Sequence, residues 1–277
     1  MNSLLYFSNI LCASGSSALA KRWANNGGKA ALFNVSKAWV GLLMFAVGLF
    51  WFKESLHWPT ACYGAIYGVF LCISMFSGYA ALACGPMALT STVASFSLII
   101  PFLCGVFVWN EVLTIRGVFG MLFLLIAIVL LNFKKEGGLT LRWSCYALLT
   151  LLSNGVCAVV QKQHQYIYPM QFRMSFMFVA LLCVSIVLSV WIFLFQRDSK
   201  PAFSVCGGFA GGMEATANYI VLYLAATQKA SVLFPLVSIA KLMTSWLLGR
   251  LFFKERLTKL QAAGVGCGLL AIFLLNH

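Results

Sequence analysis

Ten apolar runs, each about the length of a bilayer crossing, alternate with short polar breaks along the 277-residue chain. They lie at 3–20, 32–52, 60–82, 88–109, 115–133, 143–160, 171–195, 203–226, 231–253 and 259–276. The runs show no strict apolar–polar alternation, and each is about twice the length of a barrel strand, so helices are the predicted element. The breaks carry turn chemistry: Asn25-Asn26-Gly27-Gly28, Gly85-Pro86, Glu136-Gly137-Gly138 and the segment from Asp198 to Pro201. The first run lacks a basic flank before it and a small-residue cleavage site after it, and is read as a span. The expected fold class is therefore an all-α integral membrane protein with ten transmembrane helices.

The second half of the pattern repeats the first. Shifted by 144 positions, Tyr79 to Asn132 lies on Tyr223 to Asn276 without a gap, and 17 of these 54 positions are identical. Glu111-Val112-Leu113-Thr114 meets Glu255-Arg256-Leu257-Thr258, and Gly120 meets Gly264. The polar break 134–142 is the joint between two repeats, 1–135 and 142–277. Five spans per repeat is an odd number, so the second repeat enters the membrane in the opposite direction. The expected architecture is two inverted five-helix repeats.

Composition sharpens this picture. The chain is 62% hydrophobic and 9% charged, against about 25% charged residues in a soluble domain. The net charge of +13 does not indicate nucleic acid, because the basic residues flank apolar runs and form no basic face with interleaved aromatics. Breaks after odd-numbered spans carry eleven Lys or Arg and those after even-numbered spans carry four. The positive-inside rule then predicts odd loops in the cytoplasm and both termini outside, in the plasma (cell) membrane. The ten cysteines form no C-x-x-C pair, so no metal, disulfide framework or cofactor is expected.

The repeat resembles the drug/metabolite transporter superfamily, and within it the EamA-type ten-helix transporters. The residues that carry the resemblance are Tyr79-x-Ala-Leu-x-x-x-Pro86, Thr90 to Ser97, Pro101, and Trp109-Asn-Glu-Val-Leu-Thr114. The second copy has Tyr223 to Ala226, Pro235, and Phe253-Lys-Glu-Arg-Leu-Thr258. The resemblance implies a central cavity and movement of a small molecule without ATP. No phosphate-binding loop occurs in the chain, which agrees. Two departures stand out: Pro101 has Ser245 as its repeat counterpart, and termini outside is the unusual orientation for such proteins.

Charges inside the spans are the candidate chemistry, because a charge at mid-helix costs about 2.5–3.5 kcal/mol on insertion scales. Glu214 lies in Gly-Gly-Met-Glu-Ala-Thr-Ala-Asn-Tyr, with Asn218 one turn on along the same face. It is read as a proton-coupling group, a contact for a cationic substrate group, or a structural partner of Lys241. Lys241 has Ser97 as its repeat counterpart and is read as a point charge for a carboxylate or phosphate. Tyr79 and Tyr223 are repeat-equivalent, and Asn154 and Gln161 lie on one side of the sixth span. All four are candidate substrate contacts, with interface anchoring or interhelical bonding as the plainer roles. Lys37, Arg173 and Arg250 read as basic groups reaching the interface, and Glu111 and Glu255 as order-giving acids beside the N-caps Thr114 and Thr258.

Glycine pairs Gly207/Gly211, Gly208/Gly212 and Gly264/Gly268 let helices approach closely. They suit a sliding surface, static packing or a homodimer contact. No catalytic set of His, Asp or Ser can be assembled at membrane depth, so an enzyme is not expected. The reading is a secondary transporter, an exporter or exchanger of a small polar metabolite such as an amino acid, with protons as the candidate coupling ion. The spans expected to line its cavity are 1, 3, 4, 6, 8 and 9. A lipid-linked sugar flippase or multidrug exporter, and a non-transporting membrane scaffold, are the alternatives.

Overall fold

The computed structural model describes residues 2–26, 30–84, 90, 93–112, 114–132, 140–195, 204–253 and 259–276. Among them the chain is helical, without strands. The helices are α1 (Asn2–Asn25), α2 (Ala30–Trp51), α3 (Trp58–Cys84), α4 (Ile99–Phe107) and α5 (Ile115–Asn132) from the first half. The second half gives α6 (Leu141–Ile167), α7 (Arg173–Phe195), α8 (Val205–Thr227), α9 (Ala230–Phe253) and α10 (Lys259–Asn276). Among the described residues four stretches are long and apolar enough to cross a membrane: Ala31–Trp51, Trp58–Gly78, Leu141–Ile167 and Arg173–Phe195. Shorter apolar stretches lie in α1, α5, α9 and α10 and over Val93–Phe107. Large apolar side chains such as Phe50, Phe107, Phe193 and Phe209 stand mostly exposed, as a lipid-facing surface requires.

Two elements depart from the expected runs. The fourth span, expected as one helix over 88–109, contains a 3₁₀ turn at Phe96–Leu98 immediately before α4. Pro101 explains the break, since it has no N–H to donate and its ring crowds the carbonyl of Ser97, four residues back. The sixth span, expected to end at 160, continues as helix to Ile167. Its polar tail stays helical because its side chains find partners inside the protein. Gln165 Nε2 donates to His164 Nδ1 at 3.0 Å and to the Gln171 carbonyl at 3.3 Å, while Gln165 Oε1 accepts from Met170 N–H at 3.2 Å. With Nδ1 accepting, the His164 proton sits on Nε2, which lies 3.2 Å from Thr60 Oγ1. The Thr60 hydroxyl is then left to donate to His57 Nδ1, at 3.3 Å.

Packing divides the chain into two compact units, and each draws helices from both halves of the sequence. The first is Met1–Val69 with Gln163–Ala226, the second Phe70–Lys162 with Thr227–His277. In the first unit α2 packs along α7, and in the second α5 packs along α10 and α4 along α9. Each pair joins helices that hold the same ordinal place in the two halves.

Glycines set the closest approaches in the first unit. A methyl group built on Gly207 of α8 would lie 2.6 Å from the Phe33 carbonyl oxygen of α2, and one on Gly211 would lie 3.0 Å from Lys37 Cα. Gly64 and Gly68 of α3 face α7 in the same manner, each 2.7 Å from a carbonyl oxygen, of Phe176 and Ala180. Gly207 and Gly211 thus serve helix packing inside the unit. Gly212, by contrast, has nothing within 4 Å of its built methyl.

Helix starts are capped both locally and from far away. Ser204, Thr114 and Thr140 each accept from the N–H three residues on, at Gly207, Gly117 and Trp143. Thr114 is the cap the sequence implied; Glu255, Thr258 and Arg250 have side chains outside the described residues. Glu54 Oε1 accepts from the Ser175 N–H and hydroxyl, both at 2.8 Å, at the start of α7. Glu111 takes the N–H groups of Ala230 and Ser231 at 2.6 and 2.9 Å, and the Ser231 hydroxyl at 2.6 Å. It therefore orders the start of α9, more than a hundred residues away, instead of its own helix α5. A carboxylate at these N-termini also meets the positive end of the helix dipole.

Two stability predictions follow from these contacts. Gly211→Val should cost about 1–3 kcal/mol by forcing α8 off α2, whereas Gly212→Ala should leave the thermal midpoint in detergent unchanged or slightly raised. Glu111→Ala should cost about 1–3 kcal/mol by leaving three donors short of an acceptor. Glu111→Gln, which keeps an acceptor oxygen, should cost less in the same thermal unfolding assay.

Candidate functional site

The polar chemistry of the first unit gathers on α8. Its glycine-rich start brings Gly211 onto the main chain of Lys37, and Glu214 follows three residues later, about one turn on. The Lys37 ammonium lies 3.7 Å from Glu214 Oε2, with each side chain about 30% exposed (30% and 29%). The sequence pointed to Lys241 as the partner of Glu214 and to the interface for Lys37. The structure gives Glu214 a cation from α2, which the sequence reading had not paired with it. Lys241 lies in α9, in the other unit, and its side chain is outside the described residues.

Further along α8 come Asn218, Tyr219 and Tyr223. Asn218 is half-buried on the Glu214 face, and it has bonding partners of its own. Arg173, the first residue of α7, places its guanidinium carbon over the rings of both Tyr219 and Tyr223, 5.1 Å from each centroid. Such contacts hold a cation by the negative face of the ring. One Arg173 nitrogen points at Met170 Sδ at 3.7 Å, a weak acceptor. Tyr223 was singled out from the sequence through its repeat counterpart Tyr79. Tyr219 and Arg173 were not joined to it, because their meeting depends on how α7 lies against α8.

The first helix packs against α8. Asn9 Nδ2 donates to the Ala217 carbonyl at 2.6 Å, and Gly15 is in contact with Met213. Asn9 Oδ1, Ser14 Oγ and Tyr6 Oη are buried there without a hydrogen-bond partner. None of the three was picked out from the sequence, since an Asn or Ser inside an apolar run carries no sign of being unsatisfied.

The remaining sequence candidates lie in the second unit, where Asn154 and Gln161 bond to protein. Ser74 Oγ donates to Asn154 Oδ1 at 2.6 Å, and Ser77 and Thr150 share a bond of 2.8 Å. Gln161 is buried and partnered, and the neighbouring Lys162 donates to the Gln228 carbonyl at 2.5 Å. Ser97 is half-buried in the 3₁₀ turn before α4. Tyr79 is in α3, but its side chain is outside the described residues.

A double-mutant cycle tests the Lys37–Glu214 pair. Lys37→Met alone should destabilise by about 1–3 kcal/mol, less than the 3–5 kcal/mol of a fully buried pair because both groups are partly exposed. Adding Glu214→Gln should recover part of that loss in thermal unfolding, because the negative charge that faced Lys37 is then gone.

Comparison with known proteins bears on the family and the fold. Residues 141–277 match the profile of the EamA-like transporter family. A solved crystal structure covers 99% of this chain and 95% of its own, with a TM-score of 0.81 at 19% sequence identity, and so shares its fold. A comparison with curated proteins finds no match. With its apolar helices and this match, the chain is an integral multi-pass membrane protein whose residues 141–277 are those of an EamA-like transporter.

Proposed function

We propose that the protein is a secondary transporter of a small polar metabolite such as an amino acid. It works by alternating access, with ten crossing helices arranged as inverted repeats over 1–135 and 142–277. The ion pair of Lys37 and Glu214 is the observation that carries the reading. Two opposite charges held half-exposed between otherwise apolar helices are costly in a bilayer unless they meet water, substrate or a coupling ion. The packing of α2 on α7, α4 on α9 and α5 on α10 supports the inverted repeat, since equivalent helices meet across a pseudo-twofold axis.

Glu214 is the coupling group in this reading. Protonation of its carboxyl would release Lys37, and deprotonation would restore the pair, so the pair is a two-state element that a proton and a substrate both bias. Asn218 would position the substrate one turn along.

Transport by purified protein in proteoliposomes tests this. Wild type should accumulate its substrate when a pH gradient is imposed. Glu214→Gln should lose the gradient-driven accumulation while keeping substrate counterflow, because binding and movement remain and only the proton step is removed. Unchanged gradient-driven accumulation by Glu214→Gln would remove it from the coupling role.

A further inference from the structure

We propose that Arg173, Tyr219 and Tyr223 form an oxyanion seat that takes the carboxylate of the transported molecule. The proposal rests on the transport reading and gives its substrate a chemical class. The guanidinium lies over two tyrosine rings one turn apart on α8, at 5.1 Å from both. The rings fix the side chain through its π faces, and the N–H groups lie in the guanidinium plane at its edge. Of these donors one meets Met170 Sδ, and among the described residues no carboxylate lies within ion-pair distance of the guanidinium. The nearby acid Glu54 is committed to the Ser175 N–H and hydroxyl. A fixed guanidinium with open in-plane donors matches a carboxylate or phosphate two bonds at a time.

Tyr219 and Tyr223 follow Glu214 on α8 but are turned away from its face. The seat therefore takes the anionic end of the substrate apart from the coupling acid. The loop before α7 is built to hold Arg173 in register. Met170 and Phe172 adopt positive φ of 61° and 51°, in the left-handed region that non-glycine residues rarely occupy. Gln165 ties down Met170 and Gln171, and the His57 ring stacks on Phe172 with centroids 4.6 Å apart.

The test is thermal unfolding of the purified full chain in detergent against three sets of probes. These are the common α-amino acids, the same compounds with the carboxylate converted to an amide, and inorganic phosphate. Protein in bilayer discs of phosphatidylglycerol or of phosphatidylcholine provides a fourth arm. The seat predicts that at least one free acid stabilises wild type, that its amide does not, and that Arg173→Gln weakens the acid about tenfold or more while Arg173→Lys weakens it less. Equal response to acid and amide, full response in Arg173→Gln, or no response to any amino acid overturns it. Stabilisation by phosphatidylglycerol alone, lost in Arg173→Gln, also overturns it and assigns the arginine to a lipid phosphate. The acid-against-amide comparison uses wild type only and so survives a variant that fails to fold. Counterflow of the stabilising acid in proteoliposomes separates the two readings. Binding through Arg173 without counterflow removes transport and leaves the seat. Counterflow of acid and amide alike, unaffected by Arg173→Gln, removes the seat and leaves transport.

Discussion

The candidate site depends on one contact, the approach of the α2 and α8 backbones at Gly207 and Gly211. Between helices in lipid the hydrophobic effect offers little, so association relies on close packing and on hydrogen bonds. Two glycines one turn apart remove the side chains that would hold the helices apart. The main chain of Lys37 then rests on Gly211, and its long side chain needs to climb only one turn to reach Glu214. The same setting of α8 fixes which faces Asn218, Tyr219 and Tyr223 can present. A bulky residue at Gly211 would therefore disturb charges that it never touches.

A second constraint runs through both units. An apolar surrounding offers no water to polar groups, so they must find partners in the chain. The polar tail of α6 finds them in the series from Gln165 through His164 and Thr60 to His57. Glu54 and Glu111 apply the same rule to helix ends, each reaching across more than a hundred residues of sequence to a serine and its N–H. Against this background the exceptions carry information. Asn9 Oδ1, Ser14 Oγ and Tyr6 Oη are buried without partners on the helix that bonds to α8, and Ser185 Oγ is likewise buried on α7.

The sequence displayed the class of the fold and much of α8. Length and apolarity of the runs marked the helices, and the copied Glu-x-Leu-Thr segments marked the family. Glu214 was visible because a charge in an apolar run is costly wherever it points. Its contact with Lys37 was not, because it depends on which helices touch, and a sequence records spacing along helices but not contacts between them. The same holds for Arg173, which by position alone is an interface residue and becomes a fixed guanidinium only against Tyr219 and Tyr223. The length of α6 was misjudged for a related reason. Polar residues such as Gln161, Lys162, His164 and Gln165 signal a loop until the tertiary structure supplies their partners. Gly64 and Gly68 carry the signal already noted at Gly207 and Gly211, and α7 was where they applied.

The long-range caps have a consequence for synthesis. The first unit joins Met1–Val69 to Gln163–Ala226, and the second joins Phe70–Lys162 to Thr227–His277. A ribosome that has made the first repeat has therefore completed neither unit. Glu54 must wait for Ser175, and Glu111 for Ala230 and Ser231. Until then these acids belong to a half-made bundle inserted without its packing partners. Neither half of the chain is therefore a packing module by itself, since each compact unit takes its segments from both.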